Sequence, residues 1–510
     1  MFKTSPVIKG TIILTLAGII TKIIGFFFKI YLSYIIGAKG IGIYQLIFPI
    51  YLVCITISCL GIETSISKYC AEKFSQNDTK SAKKYLFCGL FLSLILSLIC
   101  SLILHFKADF IAINIIHEKS CAPLLSLLAY AIPFAAVHSC INGFLYARKK
   151  TTIPAITQLV EQIARVSSVY IISAILIERS QEITPQIAVL GIVMGEIAST
   201  LFSLTAFSIS PININHSRRN ISNSLKSAYN NIAYLINLIK MTVPLTMNNL
   251  IINLLQSYEA IIIPIMLRKC GMSSDEALNM YGILTGMAMP LVFFPSALTN
   301  SASIMLLPKI AEANASKNNK SITSTAHVTM EACLFLGIFF TGIFFMYGKE
   351  MGIYIFSSET AGRFIRTLGF ICPFLYMSTT ITSMLNGLGK TTTTLMINVT
   401  TLLIRITSII TMVPKYGIIG YLFGILTSLL IKTLLCSFLL KKHAAIVFKH
   451  TDWVLKPIIS MIISLLTSFT IYQTIDTASS QLINFIYLGG CIALSGIIYL
   501  MFLHLFKKRG

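Results

Sequence analysis

Apolar stretches of about twenty residues recur from one end of this 510-residue chain to the other, each long enough to cross the hydrocarbon core of a bilayer. That recurrence leaves few folds open. No water is present in the core to take up backbone hydrogen bonds, so a crossing segment must satisfy them itself as a helix or join a closed barrel. Barrel strands would read as alternating segments of about ten residues, and the chain has none. Fourteen helical spans are predicted, at about 10–36, 42–66, 85–105, 122–146, 153–177, 187–209, 240–266, 279–305, 325–347, 362–386, 392–413, 417–440, 454–474 and 482–506. Composition agrees: 55% of residues are hydrophobic and 11% charged, against roughly 25% charged in soluble domains. The first apolar segment is too long for a cleavable signal and lacks a small-residue cleavage site, so it is read as a permanent span.

The net charge of +22 would suit a nucleic-acid binder, but the distribution of the charges argues otherwise. With the N-terminus inside, the cytoplasmic segments hold 25 Lys and Arg, the opposite loops nine, and the spans six. This is the positive-inside pattern. An even number of spans returns the C-terminus to the cytoplasm, so a multi-pass protein of the cell membrane with both termini inside is expected. Some basic residues are placed to touch anionic headgroups.

One stretch occurs twice. Pro133-Phe134, Ile141, Leu145, Lys150-Thr151-Thr152, Arg165 and Ser168 are matched by Pro373-Phe374, Ile381, Leu385, Lys390-Thr391-Thr392, Arg405 and Ser408, each pair 240 residues apart. Spans 4 and 5 thus match spans 10 and 11. Six spans separate the copies, an even number, so both keep one orientation. This predicts parallel repeats about an axis along the membrane normal, with a central site. The expected organisation is an all-α membrane fold with two pseudo-symmetric six-helix lobes and an added pair: 1–209, a cytoplasmic linker over 210–239 carrying a surface helix, 240–440, and spans 13 and 14 over 441–510.

Ionisable residues inside spans cost roughly 2.5–3.5 kcal/mol each at the helix centre and need a reason. The cations are Lys22 and Lys29 in span 1, Arg165 in span 5, Arg366 in span 10, Arg405 in span 11 and Lys432 in span 12. The anions are Glu63, Glu161, Glu196, Glu259 and Glu331. Arg405 lies 15 residues after Lys390 and 10 before Lys415, about 22 Å and 15 Å along a helix. It is near mid-membrane, and Arg165 is in register with it. Glu161 stands four residues before Arg165, a spacing that favours an ion pair, and Thr401 holds that place before Arg405. The pair either anchors span 5 or serves a ligand. Lys22 and Lys29 share one face of span 1 with Gly18 and Gly25 nearby, as in a flexible gate carrying an anion site. Arg366 and Lys432 lie within reach of an interface by snorkelling. Asn248, Asn249, Asn253, Gln256 and Glu259 give span 7 a polar side expected to line a cavity.

No hydrolytic constellation, P-loop or metal-ligand spacing is present, so neither an enzyme nor a cofactor is expected. The eight histidines read as isolated. The twelve cysteines read as small apolar packing residues, with a disulfide between Cys121 and Cys270 left open.

Fourteen spans in a six-plus-six parallel repeat with two further helices resemble the multidrug/oligosaccharidyl-lipid/polysaccharide exporter superfamily. The run Gly61-Ile62-Glu63-Thr64-Ser65-Ile66-Ser67-Lys68 with Ala71-Glu72 is similar to the end of span 2 in its polysaccharide-biosynthesis branch. Tyr281-Gly282-Ile283-Leu284, Gly286 to Pro290, Phe294-Pro295 and Leu307-Pro308 resemble span 8 of that branch. The likeness extends over nearly the whole chain to the stage V sporulation protein B family, which is similar to lipid II flippases. The resemblance implies flipping of an undecaprenyl-pyrophosphate-linked sugar such as lipid II to the outer leaflet, for peptidoglycan or spore cortex, by lobes alternating around a cationic cavity. It places the family's span-1 arginine on Lys22 and its span-7 acid on Glu259. It departs at Phe28, where a second arginine stands in the family, and at Glu63, often a proline.

The reading is therefore a flippase. Its pyrophosphate is attracted by Lys22, Lys29, Arg165 and Arg405 with Glu259 nearby, while Glu63, Glu161, Asn249 and Asn253 are candidates for coupling or ion pairing. Partners are a lipid-linked oligosaccharide, membrane lipids, cell-wall synthesis proteins, and a coupling ion (Na+ or H+) or the membrane potential. The rival is a cation-coupled multidrug antiporter relying on Glu259 or Glu161.

Overall fold

The computed structural model describes residues 6–209, 224–443, 451–474 and 481–508. No strand occurs among them, and twelve helices are long and apolar enough to cross a membrane, or fourteen when each of two bent pairs counts as one. In chain order the spans are Ile12–Ile35, Gly37–Ser75, Thr79–Phe106, Lys119–Leu128 with Ala131–Ala147, Thr152–Glu178, Gln186–Ile209, Ile232–Lys269, Ser274–Phe293 with Ser296–Ala315, Asn319–Phe356, Glu359–Gly387, Thr391–Tyr416, Ile418–Lys441, Thr451–Thr474 and Ile483–Phe506. Each coincides with a stretch expected from hydropathy. The helices overrun the apolar windows because polar residues cap them: Asp78 accepts from the Ser81 amide at 3.0 Å before span 3, bonds that hold its carboxyl below the usual range.

Bends sit where the chain cannot keep its helical ladder. Span 8 turns by 60° between Phe293 and Ser296, at Pro295. Span 4 turns by 42° between Leu128 and Ala131, just before Pro133. Span 2 carries a π-helical turn at Thr56–Leu60. Side chains cover its backbone: the Thr56 hydroxyl donates to Leu52 O at 2.6 Å, and Ser93 of span 3 donates to Ser58 O. In an apolar surrounding such freed carbonyls need a donor.

The linker expected over 210–239 lies partly outside the described residues, at 210–223, as do Lys3, Lys449 and Arg509. From Ser224 the chain is one helix of 46 residues running to Lys269. The helix does not stop at 239 because nothing between Ser224 and Val243 is Gly or Pro. Its early part packs against span 3, where Tyr234 Oη is 2.9 Å from Ser81 Oγ and Leu238 is fully buried.

The contacts divide the chain into two compact units. One takes in the chain to Phe28 and then Ile43–Ile261; the other takes in Lys29–Gly42 and everything from Ile262. These units differ from the segments drawn on the repeat, since most of span 7 falls with the first. Polar bonds explain this: Asn253 Nδ2 donates to Thr56 Oγ1 at 2.6 Å, Ser257 donates to Pro49 O at 3.1 Å, and Thr242 donates to Ser65 Oγ at 2.9 Å. One core cluster of the first unit is formed by Ile62, Ile66, Tyr85, Leu86, Phe144 and Leu238.

In the second unit, the turn from span 1 to span 2 packs on span 8 through glycine. A Cβ on Gly282 would lie 1.8 Å from Ala38 O, and one on Gly42 would lie 2.3 Å from Leu278 O. Lys39 and Asp275 close this contact at 2.7 Å. Spans 13 and 14 pack on span 9, with Tyr347 Oη 2.8 Å from Ser468 Oγ and Tyr499 donating to Phe335 O at 3.0 Å. None of the twelve cysteines is in a disulfide, Cys121 and Cys270 included.

The glycine contact yields a stability prediction. Gly282→Val should destabilise the second unit by about 1–3 kcal/mol, the usual cost of overpacking. The check is the thermal midpoint of the detergent-solubilised protein, with Gly18→Ala, which meets open space, as the silent control.

Candidate functional site

The charges gather in the first unit, around span 5. Glycine makes this possible. Span 6 presents Gly191 and Gly195 one turn apart to span 5: a Cβ on Gly191 would meet Val169 at 2.4 Å and Arg165 O at 3.1 Å, and one on Gly195 would meet Glu161 O at 2.9 Å. Small residues at this spacing let two membrane helices touch backbone to backbone. Glu196 follows Gly195 directly, so it is carried to the level of Glu161 and Arg165.

Two bonded pairs result. Arg165 Nη2 donates to Glu161 Oε1 within span 5. His138 Nε2 of span 4 lies 2.7 Å from Glu196 Oε2, and Tyr51 of span 2 donates to Glu196 Oε1 at 2.8 Å. Side-chain exposure is 16% for Arg165, 22% for Glu161, 14% for His138 and 7% for Glu196. One ligand atom each from His138, Glu161 and Glu196 lies within 4.8 Å of the others. Two polar atoms here are buried and have no hydrogen-bond partner among the described residues: Arg165 Nε and His138 Nδ1. A buried donor left unmade costs about 1–3 kcal/mol. Arg165 therefore keeps a free donor for an anion, and His138 keeps a free ring nitrogen.

The expectation that the histidines stand isolated does not hold for His138. Sequence reasoning missed it because the groups that face it, Glu63, Glu161 and Glu196, come from three other spans, 23 to 75 positions away. The signals were present in Gly191-Ile192-Val193-Met194-Gly195-Glu196, and in the repeat itself. At the offset of 240, Ser378 stands for His138 and Thr401 for Glu161. The copies share the arginine and differ in the acid and the imidazole around it.

The other predicted residues are dispersed. Glu63 is half-buried and accepts from Ser139 Oγ at 2.8 Å, one residue from His138. Glu259 is buried in the first unit. Asn253 is taken up by Thr56, whereas Asn248, Asn249 and Gln256 are exposed. Lys22 is exposed, one turn from Gly25, whose nearest neighbour is Gln162 of span 5 at 3.5 Å. Lys29 is half-buried and falls in the second unit. There, Arg405 and Lys432 lie within range of each other's charge. The Thr401 hydroxyl is spent on Ile397 O at 2.7 Å. Arg366 is exposed and sits 4.5 Å over the Phe345 ring.

Removing one partner of the ion pair should reveal its worth. Glu161→Gln leaves Arg165 uncompensated and should cost about 3 kcal/mol, while Glu161→Met with Arg165→Met should recover most of that loss. Denaturation midpoints of the wild type and both variants in one detergent check this; a double variant less stable than Glu161→Gln would overturn it.

Comparison with known proteins places the chain. It matches the family described as "Polysaccharide biosynthesis protein" over residues 7–314 and the MatE family over residues 244–411. It is 27% identical over 503 residues to Stage V sporulation protein B of Bacillus subtilis (strain 168), covering 98% of this chain and 95% of that protein. It is 25% identical over 182 residues to Lipid II flippase MurJ of the same organism, covering 34% and 32%. A solved structure of Lipid II flippase MurJ in an inward closed conformation matches with a TM-score of 0.73 at 17% identity, covering 98% of this chain and 99% of that one, and shows the same fold. The chain therefore belongs to the polysaccharide biosynthesis protein family, within the multidrug/oligosaccharidyl-lipid/polysaccharide exporter superfamily.

Proposed function

We propose that this protein flips an undecaprenyl-pyrophosphate-linked sugar precursor, lipid II or a close relative, from the inner to the outer leaflet of the cell membrane, for peptidoglycan or spore cortex synthesis. The observation that carries the reading is Arg165: a guanidinium expected at mid-membrane depth, with its Nε–H unmade. A diphosphate suits it by charge and by hydrogen-bond geometry. Its relatives support the substrate class, since one is a sporulation protein and another carries the name lipid II flippase. Arg405, matching Arg165 in the other repeat, and Lys432 beside it supply a second cationic point. Lys22 and Lys29 on span 1 complete the proposed anion path. The lobes of the repeat are proposed to alternate between inward and outward access, with both termini cytoplasmic.

A second reading, a cation-coupled multidrug antiporter, is favoured by the match to the MatE family and by the group of His138, Glu161 and Glu196. The two readings differ in cargo. Depleting the protein should lower the lipid-linked precursor reached by a membrane-impermeant probe at the outer face and leave dye efflux unchanged. The opposite pair of results would establish the antiporter.

Arg165→Ala and Arg405→Ala should each cut precursor flipping at least tenfold at normal abundance, with Lys replacements recovering part of it. Full complementation by both alanine variants would remove the anion path from the proposal.

A further inference from the structure

The buried cluster contains more chemistry than anion binding requires. With a neutral imidazole, Arg165, Glu161 and Glu196 sum to one negative charge, and one further positive charge neutralises them. His138 faces two of the three: Glu196 at 2.7 Å, and Glu161 within 4.8 Å by its ligand atom. The other groups around it come from span 2. Glu63 lies within range of its charge, Tyr51 holds Glu196, Tyr44 lies in range of Arg165, and Cys59 lies in range of Glu196. On its own helix, Ser139 is bonded to Glu63.

We propose that His138, Glu196 and Glu161 form a proton site that fills when Arg165 grips an anion and empties when the anion leaves. The inference rests on the reading of the chain as a carrier of pyrophosphate-linked lipid. With Nε2–H donated to Glu196, the open valence is Nδ1, which is buried and without a hydrogen-bond partner among the described residues. When a diphosphate takes the Arg165 guanidinium, Glu161 loses its counter-charge. Two carboxylates then face one imidazole in a low-dielectric site, where the Coulomb penalty is large. A proton from solvent adds to Nδ1, forming one N–H bond. The imidazolium lowers the net charge of His138, Glu196 and the released Glu161 from minus two to minus one. When the diphosphate leaves, Arg165 returns to Glu161 and the proton is lost again. One proton thus accompanies each anion bound, and the groups left facing one another carry one net negative charge in both states rather than two in one of them.

The same three ligand atoms would suit a metal ion by spacing. The guanidinium bonded to Glu161 is what disfavours one. A dication there would share a carboxylate with a fixed positive charge, whereas a proton occupies no added space.

The test is calorimetric titration of the purified full-length protein in lipid nanodiscs with undecaprenyl pyrophosphate near pH 7, in buffers of different ionisation enthalpy. The slope against ionisation enthalpy counts protons. The wild type should take up about one proton per ligand bound, with affinity weakening as pH rises. His138→Gln and Glu196→Gln should bind with uptake near zero, and the wild-type count stands even where a variant fails to fold. Binding without proton uptake overturns this inference and leaves the flippase reading intact. Binding that follows Na+, or that is abolished by chelators and restored by Zn2+, overturns the proton assignment in favour of a metal ion. No binding of the pyrophosphate lipid overturns both the inference and the function it rests on.

Discussion

A guanidinium cannot sit in an apolar membrane interior without a partner, and the arrangement of the first unit follows from that constraint. Arg165 is answered by Glu161 one turn away. A pair that close to hydrocarbon must have its remaining lone pairs and donors met, or desolvation outweighs attraction. The means are visible in the neighbours. Gly191 and Gly195 bring span 6 against the backbone of span 5, Glu196 arrives with them, and His138 and Tyr51 are drawn onto Glu196. Span 2 reaches the cluster with Tyr51, one turn before its π-helical segment, the kind of local defect often found at working sites.

The two copies of the repeat solve the same constraint differently. Both keep the arginine. The first surrounds it with two carboxylates and an imidazole. The second places Ser378 and Thr401 at the positions of His138 and Glu161 and sets Lys432 near Arg405. The acid and the imidazole found beside Arg165 thus have no counterpart at the matching positions of the second copy.

Much of the site was legible in part. Glu161 four residues before Arg165 announces an ion pair because helix geometry places those positions together. The repeat announced that Arg405 shares its depth. His138 and Glu196 were not legible as a pair, since no helical spacing connects span 4 to span 6. The polar side of span 7 was legible as polar, but its division was not: Asn253 is spent on Thr56 while Asn249 stays exposed.

Hydropathy and the positive-inside pattern determined the class, the number of spans and their expected orientation, because a bilayer admits few backbone solutions and penalises buried charge residue by residue. The repeat determined the kinship of spans 4 and 5 with spans 10 and 11. Only the tertiary structure decided where helices bend, which unit claims most of span 7, and which buried charges meet. Those outcomes depend on close approaches, such as Gly195 on Glu161 and Gly282 on Ala38, between residues distant in sequence. Contact between helices is set by the shapes of both partners at once, and a pattern along one chain records each helix singly.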